Sequence, residues 1–147
     1  MTPLNAVLTI SEVLLDQPTL PDKEDLDNNL QVIWSSGKIL EFNIKSQLSQ
    51  LQVQSKQLEI VHEQVDRNSL VQLVRDVAAP FRIQMQEKEI NFDVKLKTAF
   101  PFSLKIEKKL FSEILFNLIQ NAVKFNIQGG EIKVRLMPNK LNTMLHV

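Results

Sequence analysis

The sequence contains no cysteine, which excludes disulfides, thiol catalysis and thiolate metal sites. It holds two histidines, His62 and His146, too few for a multi-histidine metal centre. Its three glycines, Gly37, Gly129 and Gly130, exclude both a G-x-G-x-x-G turn and a P-loop. No apolar run approaches the roughly 18 residues that a bilayer span requires, and the first residues lack the basic-then-apolar pattern of a signal sequence. Neither sign of charge is in excess: 17 Lys and Arg offset 17 Asp and Glu. That balance argues against a general nucleic-acid binder and against electrostatic capture by an anionic membrane. What is present is a chain of 147 residues, 44% apolar and 23% charged, with enough length and apolar content for one ordinary domain or two small ones.

Residues 2 to 16 read as a short amphipathic helix, opened by Thr2-Pro3 and stopped before Pro18 and Pro21. A second, long helix is expected over about 25–57, with acidic residues at its start where the macrodipole favours them. Its Leu26, Leu30, Ile33, Gly37, Leu40, Ile44, Leu48 and Leu51 recur at spacings of three and four, the seam of a helix held against other helices. Such a helix is roughly 45–50 Å long, more than a four-turn partner covers. Self-association of two hairpins into a four-helix bundle would cover the rest, so a homodimer is expected.

The texture changes after residue 57. A short strand is expected at Leu58–His62, then a helix from Ser69 to Glu87 bent at Pro80. Alternation from Ile90 to Lys97 predicts a half-buried strand. A turn around Pro101, a strand at Ser103–Ile106 and a helix from Glu107 to about Phe125 follow. Further strands are expected near Glu131–Leu136 and Leu141–Val147, with a turn at Pro138-Asn139 between them. The fold class is therefore α+β: an antiparallel helical hairpin over residues 1–57, then a mixed α/β layer over 58–147.

One helix carries a candidate site. At about 100° per residue, Asn117, Asn121 and Lys124 fall at roughly 0°, 40° and −20°, one narrow polar stripe. Phe111, Ile114, Leu115, Leu118, Ala122 and Phe125 occupy the neighbouring arc and are expected to pack on a sheet. Two carboxamides and an ammonium on one line suit a magnesium–triphosphate, since an Asn oxygen is a hard ligand and Lys neutralises phosphate. On spacing alone the stripe equally reads as the solvated face of an amphipathic helix.

The residues Asn117-Leu118-Ile119-Gln120-Asn121-Ala122-Val123-Lys124-Phe125 resemble the N box, N-L-x-x-N-A-x-K-F, of sensor histidine protein kinases. At the other end, Thr2-Pro3-Leu4-Asn5-Ala6-Val7-Leu8 is similar to the tail of that family's phosphoacceptor motif, H-E-x-R-T-P-L-N-A-I-L. Glu107 stands where the family usually has Asp, and Gly129-Gly130-Glu131-Ile132 resembles its G-G-x-I strand start. The order and separation of these motifs match across essentially the whole chain.

The resemblance implies a dimeric four-helix bundle followed by an incomplete ATP-binding sandwich of the histidine kinase and Hsp90 type. It implies ATP and Mg²⁺ as cofactors, with Asn121 on the metal, Asn117 assisting and Lys124 on phosphate. In the family's reaction a His takes the ATP γ-phosphoryl and passes it to the receiver domain of a response regulator, the implied partner. No nucleic-acid or membrane contact is implied for this segment, and its implied location is cytoplasmic. The motif His would lie four residues before Thr2, outside the sequence, and Met1 stands at the motif Arg. Thr2 matches the motif Thr. The adenine-reading D-x-G-x-G box does not occur in these residues, Leu110 replaces a frequent Arg, and Asn126 replaces the usual Thr or Ser. An interior piece of a kinase, inactive by itself, is therefore expected. The alternative is a non-catalytic dimerising module derived from such a kinase; a gyrase- or chaperone-type ATPase fits less well, since Asn117 stands at the position of its general-base Glu. His62 reads as a surface or edge-strand residue rather than a substitute acceptor, and Trp34 as a bundle-flank residue.

Overall fold

A computed structural model of the chain describes residues 2–19, 21–54, 61–96, 103–138 and 143–146. The chain divides into two compact units, Met1–Leu58 and Glu59–Val147.

The first unit is a pair of packed helices, α1 (Pro3–Asp16) and α2 (Lys23–Gln54). Thr2, extended at φ −76° and ψ 151°, caps α1: its Oγ1 accepts the Asn5 N–H at 3.4 Å, and Pro3 takes the first turn, where no N–H is needed. At the start of α2, Asp22 accepts the Asp25 N–H at 2.9 Å, with Glu24 and Asp25 in the first turn. Ala6, Ser35, Ser36 and Ile39 are buried, whereas Leu30, Ile44, Leu48 and Leu51 of the expected seam are exposed. Fourteen residues against thirty-two explain why α1 leaves Ile44, Leu48 and Leu51 uncovered, whereas Leu30, within the reach of α1, turns away from it. On the flank of α2, Glu41 receives Lys45 at 2.6 Å and Lys38 at 2.9 Å. Hydrogen bonds first from Lys45 and then from Lys38 lower its carboxyl pKa to about 2.

The second unit runs β1 (Glu63–Asp66), α3 (Arg67–Ala78), a 3-10 turn (Ala79–Phe81), α4 (Arg82–Glu87), β2 (Asn91–Leu96), β3 (Ser103–Ile106), α5 (Lys108–Lys124), β4 (Glu131–Pro138) and β5 (Thr143–His146). β1 pairs antiparallel with β3, setting Val65 opposite Leu104. β4 is flanked by β2 in parallel, with Val94 opposite Val134, and by β5 antiparallel. This is a mixed α+β architecture with a helical N-terminal unit.

Local chemistry accounts for the element ends. Asp66 caps α3 by accepting the Ser69 N–H at 2.7 Å, and that bond is the main cause holding its carboxyl below the usual range. Pro80 sits in the 3-10 turn, which breaks the helix expected over 69–87 into α3 and α4. α4 closes in a Schellman motif: Glu89 adopts φ +52°, its N–H reaches Gln86 O at 3.0 Å, and the Ile90 N–H reaches Met85 O at 2.7 Å.

Two expectations are corrected. Val61 and His62 are not in a strand; the first strand among the described residues is β1 at Glu63–Asp66, where Val65 buries beside Leu70 and opposite β3. The expected strand residues 58–60 and the turns at 101 and 139 lie outside the described residues. The inward face of α5 is also different: Leu115, Phe116, Ile119 and Val123 are buried, while Ile114, Leu118 and Phe125 are exposed at 57%, 42% and 73%. Phe116 instead meets Phe81 of the 3-10 turn, ring centres 4.9 Å apart. α5 has apolar residues on nearly every side except the polar stripe, so periodicity alone does not select which of them faces α3 and β4.

Candidate functional site

The polar stripe is held by a helix fixed at both ends. At its start Glu107 is the N-cap, its carboxylate accepting the backbone N–H groups of Lys109 (3.3 Å) and Leu110. A carboxylate here also meets the positive end of the helix dipole, which explains how Glu serves at a position where the resembling family has Asp.

At the other end the key residue is Lys88, in the turn between α4 and β2. Its ammonium donates to the carbonyls of Val123 (2.9 Å), Lys124 (2.9 Å) and Asn126 (3.3 Å). The first two are carbonyls that the helix leaves without partners, at the negative end of its dipole, and the third belongs to the turn that follows. The clamp is closed by the Gly129 N–H donating to Lys88 O at 2.8 Å and by Gln128 Nε2 donating to Glu87 O at 3.3 Å. Gly129 takes φ +69°, a conformation that a side chain disfavours. Gly130 is favoured for a different reason: a Cβ there would lie 2.0 Å from Asn126 Oδ1 and 3.0 Å from Ile127 O, so the Asn126 side chain would have to move. That oxygen accepts the Ile127 N–H at 3.0 Å, and Asn126 Nδ2 donates to Glu131 O at 3.4 Å. Asn126, the departure from the motif, is therefore built into the turn that launches β4.

Between these ends Asn117, Asn121 and Lys124 are all exposed, on the face away from Leu115, Ile119 and Val123. The carboxamides of Asn117 and Asn121 make no hydrogen bond to other described residues. Lys124 places its ammonium 5.0 Å from the ring centre of Phe125, a cation–π contact that leaves the charge accessible. Ile114, Leu118 and Phe125 form an exposed apolar margin beside the stripe. Two neutral oxygen donors with free lone pairs and one cation suit a hydrated divalent ion and a phosphate chain. Among the described residues no group of three His, Asp or Glu side chains gathers to hold a metal, and none of the helices is long and apolar enough to cross a membrane.

The structure brings together all three residues singled out in α5 and leaves the other candidates apart. Thr2 belongs to the first unit. His62 is exposed ahead of β1, and His146 lies in β5 at the register of Arg135. Lys88 had no signal in the sequence: its partners are 35 to 38 residues away.

No family model matches the chain. Curated relatives do. The chain is 29% identical over 140 residues to the aerobic respiration control sensor protein ArcB homolog of Haemophilus influenzae, covering 95% of this chain and 41% of that protein. It is 27% identical over 145 residues to ArcB of Escherichia coli, covering 99% of this chain and 18% of the relative. With histidine kinase 3 of Arabidopsis thaliana it shares 29% over 128 residues, 87% of this chain and 12% of the relative. The chain thus spans well under half the length of these proteins. Among solved structures it is similar to the Acinetobacter baumannii histidine kinase AdeS, with a TM-score of 0.54 and 20% identity over 98% of this chain and 68% of that one. The cytoplasmic segment of histidine kinase QseC gives a TM-score of 0.53 at 20% identity, over 65% of this chain and 64% of the other. The sequence is similar to sensor histidine kinases over nearly all of its length, and the fold is that of their hairpin and ATPase-like segments.

Proposed function

We propose that this chain, similar throughout to sensor histidine kinases, is the part of such a kinase that dimerises through α1 and α2 and meets the phosphates of Mg–ATP with α5. The observation that carries the reading is the face shared by Asn117, Asn121 and Lys124: exposed, without other described hydrogen-bond partners, and rigidly held by Glu107 and Lys88.

In this reading Asn121 supplies a carboxamide oxygen to the metal, Asn117 supports it one turn earlier, and Lys124 neutralises a phosphate oxygen. Mg²⁺ contributes charge neutralisation on the phosphates when bound. The protein's own part is positioning, which is most of what phosphoryl transfer asks of it. The acceptor is a His, and the phosphoryl group goes on to the receiver domain of a response regulator. The acceptor position and the adenine-reading box fall outside these 147 residues, so the isolated chain binds nucleotide weakly and does not phosphorylate itself.

The test is a titration of Mg–ATP into the isotopically labelled chain, followed by amide shifts. Shifts should concentrate on Asn117 to Lys124 at millimolar nucleotide. Asn121→Ala should weaken them about 10-fold, the worth of one contact to a charged partner. Gln120→Ala, about 100° round the helix, should change little. In a chain extended to carry the H-E-x-R motif and the glycine boxes, Asn121→Ala should abolish autophosphorylation and Gln120→Ala should not. Equal activity of the two variants would refute the site and favour a dimerising module without catalysis.

A further inference from the structure

Helix α2 presents two opposite faces. Ser35, Ser36 and Ile39 are buried on the side where α1 packs. At about 100° per residue, Leu30, Trp34, Gly37, Glu41, Ile44 and Leu48 gather round the side opposite Ile39. They recur at intervals of four and three in strict alternation, and the row ends three residues on at Leu51. This is an unbroken coiled-coil seam, and each of its apolar members is exposed in the single chain.

Two neighbours in the row have no explanation within one chain. Gly37 lies inside the helix, where glycine is among the least favourable residues. A Cβ built on it would meet no neighbouring atom within 4 Å among the described residues, so no contact in the chain asks for glycine. The ring of Trp34, one turn earlier, does not cover the gap and is itself half exposed. A bulky ring and an open notch thus stand a turn apart on one face. Glu41, the single charged member of the row, is ion-paired to Lys38 at 2.9 Å and Lys45 at 2.6 Å.

We propose that this row pairs in parallel with the same row of a second copy, and that Trp34 of each chain seats in the notch at the partner's Gly37. A ring and a notch on one face complement each other under a two-fold axis, as contact between identical patches requires. Knobs-into-holes packing borders the Trp34 hole with Gly37, where bare backbone makes room for an indole. Glu41 points to the same occupant: a row with one polar level is matched by a row polar at that level, which a copy in register supplies. Parallel pairing covers the row from Leu30 to Leu51. Antiparallel pairing centred between residues 34 and 37 would carry Leu48 and Leu51 past the partner's Leu30. Trp34 and Gly37 then give selectivity to a dimer formed through α1 and α2, the reading on which this pairing rests.

The test uses the 147-residue chain, in which Trp34 reports alone because there is no other Trp and no Tyr. Over a dilution series its emission should shift to shorter wavelength as sedimentation shows the dimer forming. Gly37→Leu fills the notch and should weaken pairing about 10-fold or more, although leucine is the better helix former and circular dichroism should show helix content retained. Trp34→Ala should weaken pairing by a similar factor. Mixing the two variants should restore it, since the Gly37→Leu chain keeps its ring and the Trp34→Ala chain keeps its notch. Only the first of them fluoresces, so adding the second should move its emission to shorter wavelength. A wild-type dimer whose emission matches the monomer's would overturn the Trp34–Gly37 contact and leave dimerisation standing. So would a Gly37→Leu chain that pairs as tightly as wild type, or a mixture with no shift. A wild type that stays monomeric at high concentration would overturn both.

Discussion

The ammonium of Lys88 lies 2.9 Å from the carbonyl oxygen of Val123, tying the turn after α4 to the last turn of α5. One flexible side chain thereby satisfies carbonyls at the end of the helix that carries Asn117, Asn121 and Lys124. Lys88→Met should cost about 1–3 kcal/mol, since charged hydrogen bonds are lost and the carbonyls must find water. Urea unfolding measures the loss. Amide exchange should also rise at Phe125, whose N–H bonds Asn121 O at 3.0 Å, before it rises at Leu115. Uniform exchange along α5 in the variant would show that Lys88 does not hold this end.

The glycine pair after α5 separates two kinds of requirement. Gly129→Ala meets open space but must hold φ +69°, so the expected cost is about 1–2 kcal/mol of backbone strain. Gly130→Ala meets Asn126 Oδ1 and forces that side chain off the Ile127 N–H. Removing the obstacle should therefore rescue only the second: Asn126→Ala should interact strongly with Gly130→Ala and be additive with Gly129→Ala. Thermal denaturation of the three single variants, the two double variants and wild type decides it.

The apolar row that α1 leaves uncovered predicts association. Ile44 and Leu48 are 50% and 54% exposed in the single chain. If they lie in a dimer seam, Ile44→Asp buries an unpaired carboxylate at a cost of about 3–5 kcal/mol and yields monomers. Sedimentation should show a dimer for the wild type and a monomer for the variant, with helix content retained. A monomeric wild type at high concentration would exclude the four-helix bundle.

Glu41 gives a pH signature. Its carboxyl, ordinarily at 4.5, is lowered to about 2 by Lys45 and Lys38. A depressed folded-state value means that the contribution is complete above about pH 4.5 and is lost as pH falls toward 2. Stability of the wild type relative to Glu41→Gln should therefore shrink across that interval and stay flat above it. The pair is solvent-exposed, so the difference should be small and should fade in high salt. Carboxyl titration by NMR gives the value directly; an ordinary midpoint for Glu41 would contradict the triad.

Most elements were legible in the residues because their causes are local. Thr2-Pro3 opens α1, Pro80 breaks the helix between α3 and α4, alternation from Ile90 onward marks β2, and Gly129-Gly130 precedes β4. The exposure of Asn117, Asn121 and Lys124 followed from the helical period alone. Tertiary structure decided the rest. Which apolar side of α5 turns inward depended on the shapes of α3 and β4, because Ile114, Leu118 and Phe125 are as hydrophobic as the residues that won. Among the described residues the first strand begins at Glu63 and leaves out Val61 and His62, because Val65 finds Leu104 and Leu70 there, a pairing across some 40 residues that no local pattern reports. The grip of Lys88 on α5 exists only once distant segments are side by side. Periodicity fixes what a helix or strand can bury, but contacts between segments far apart in the chain decide what it does bury.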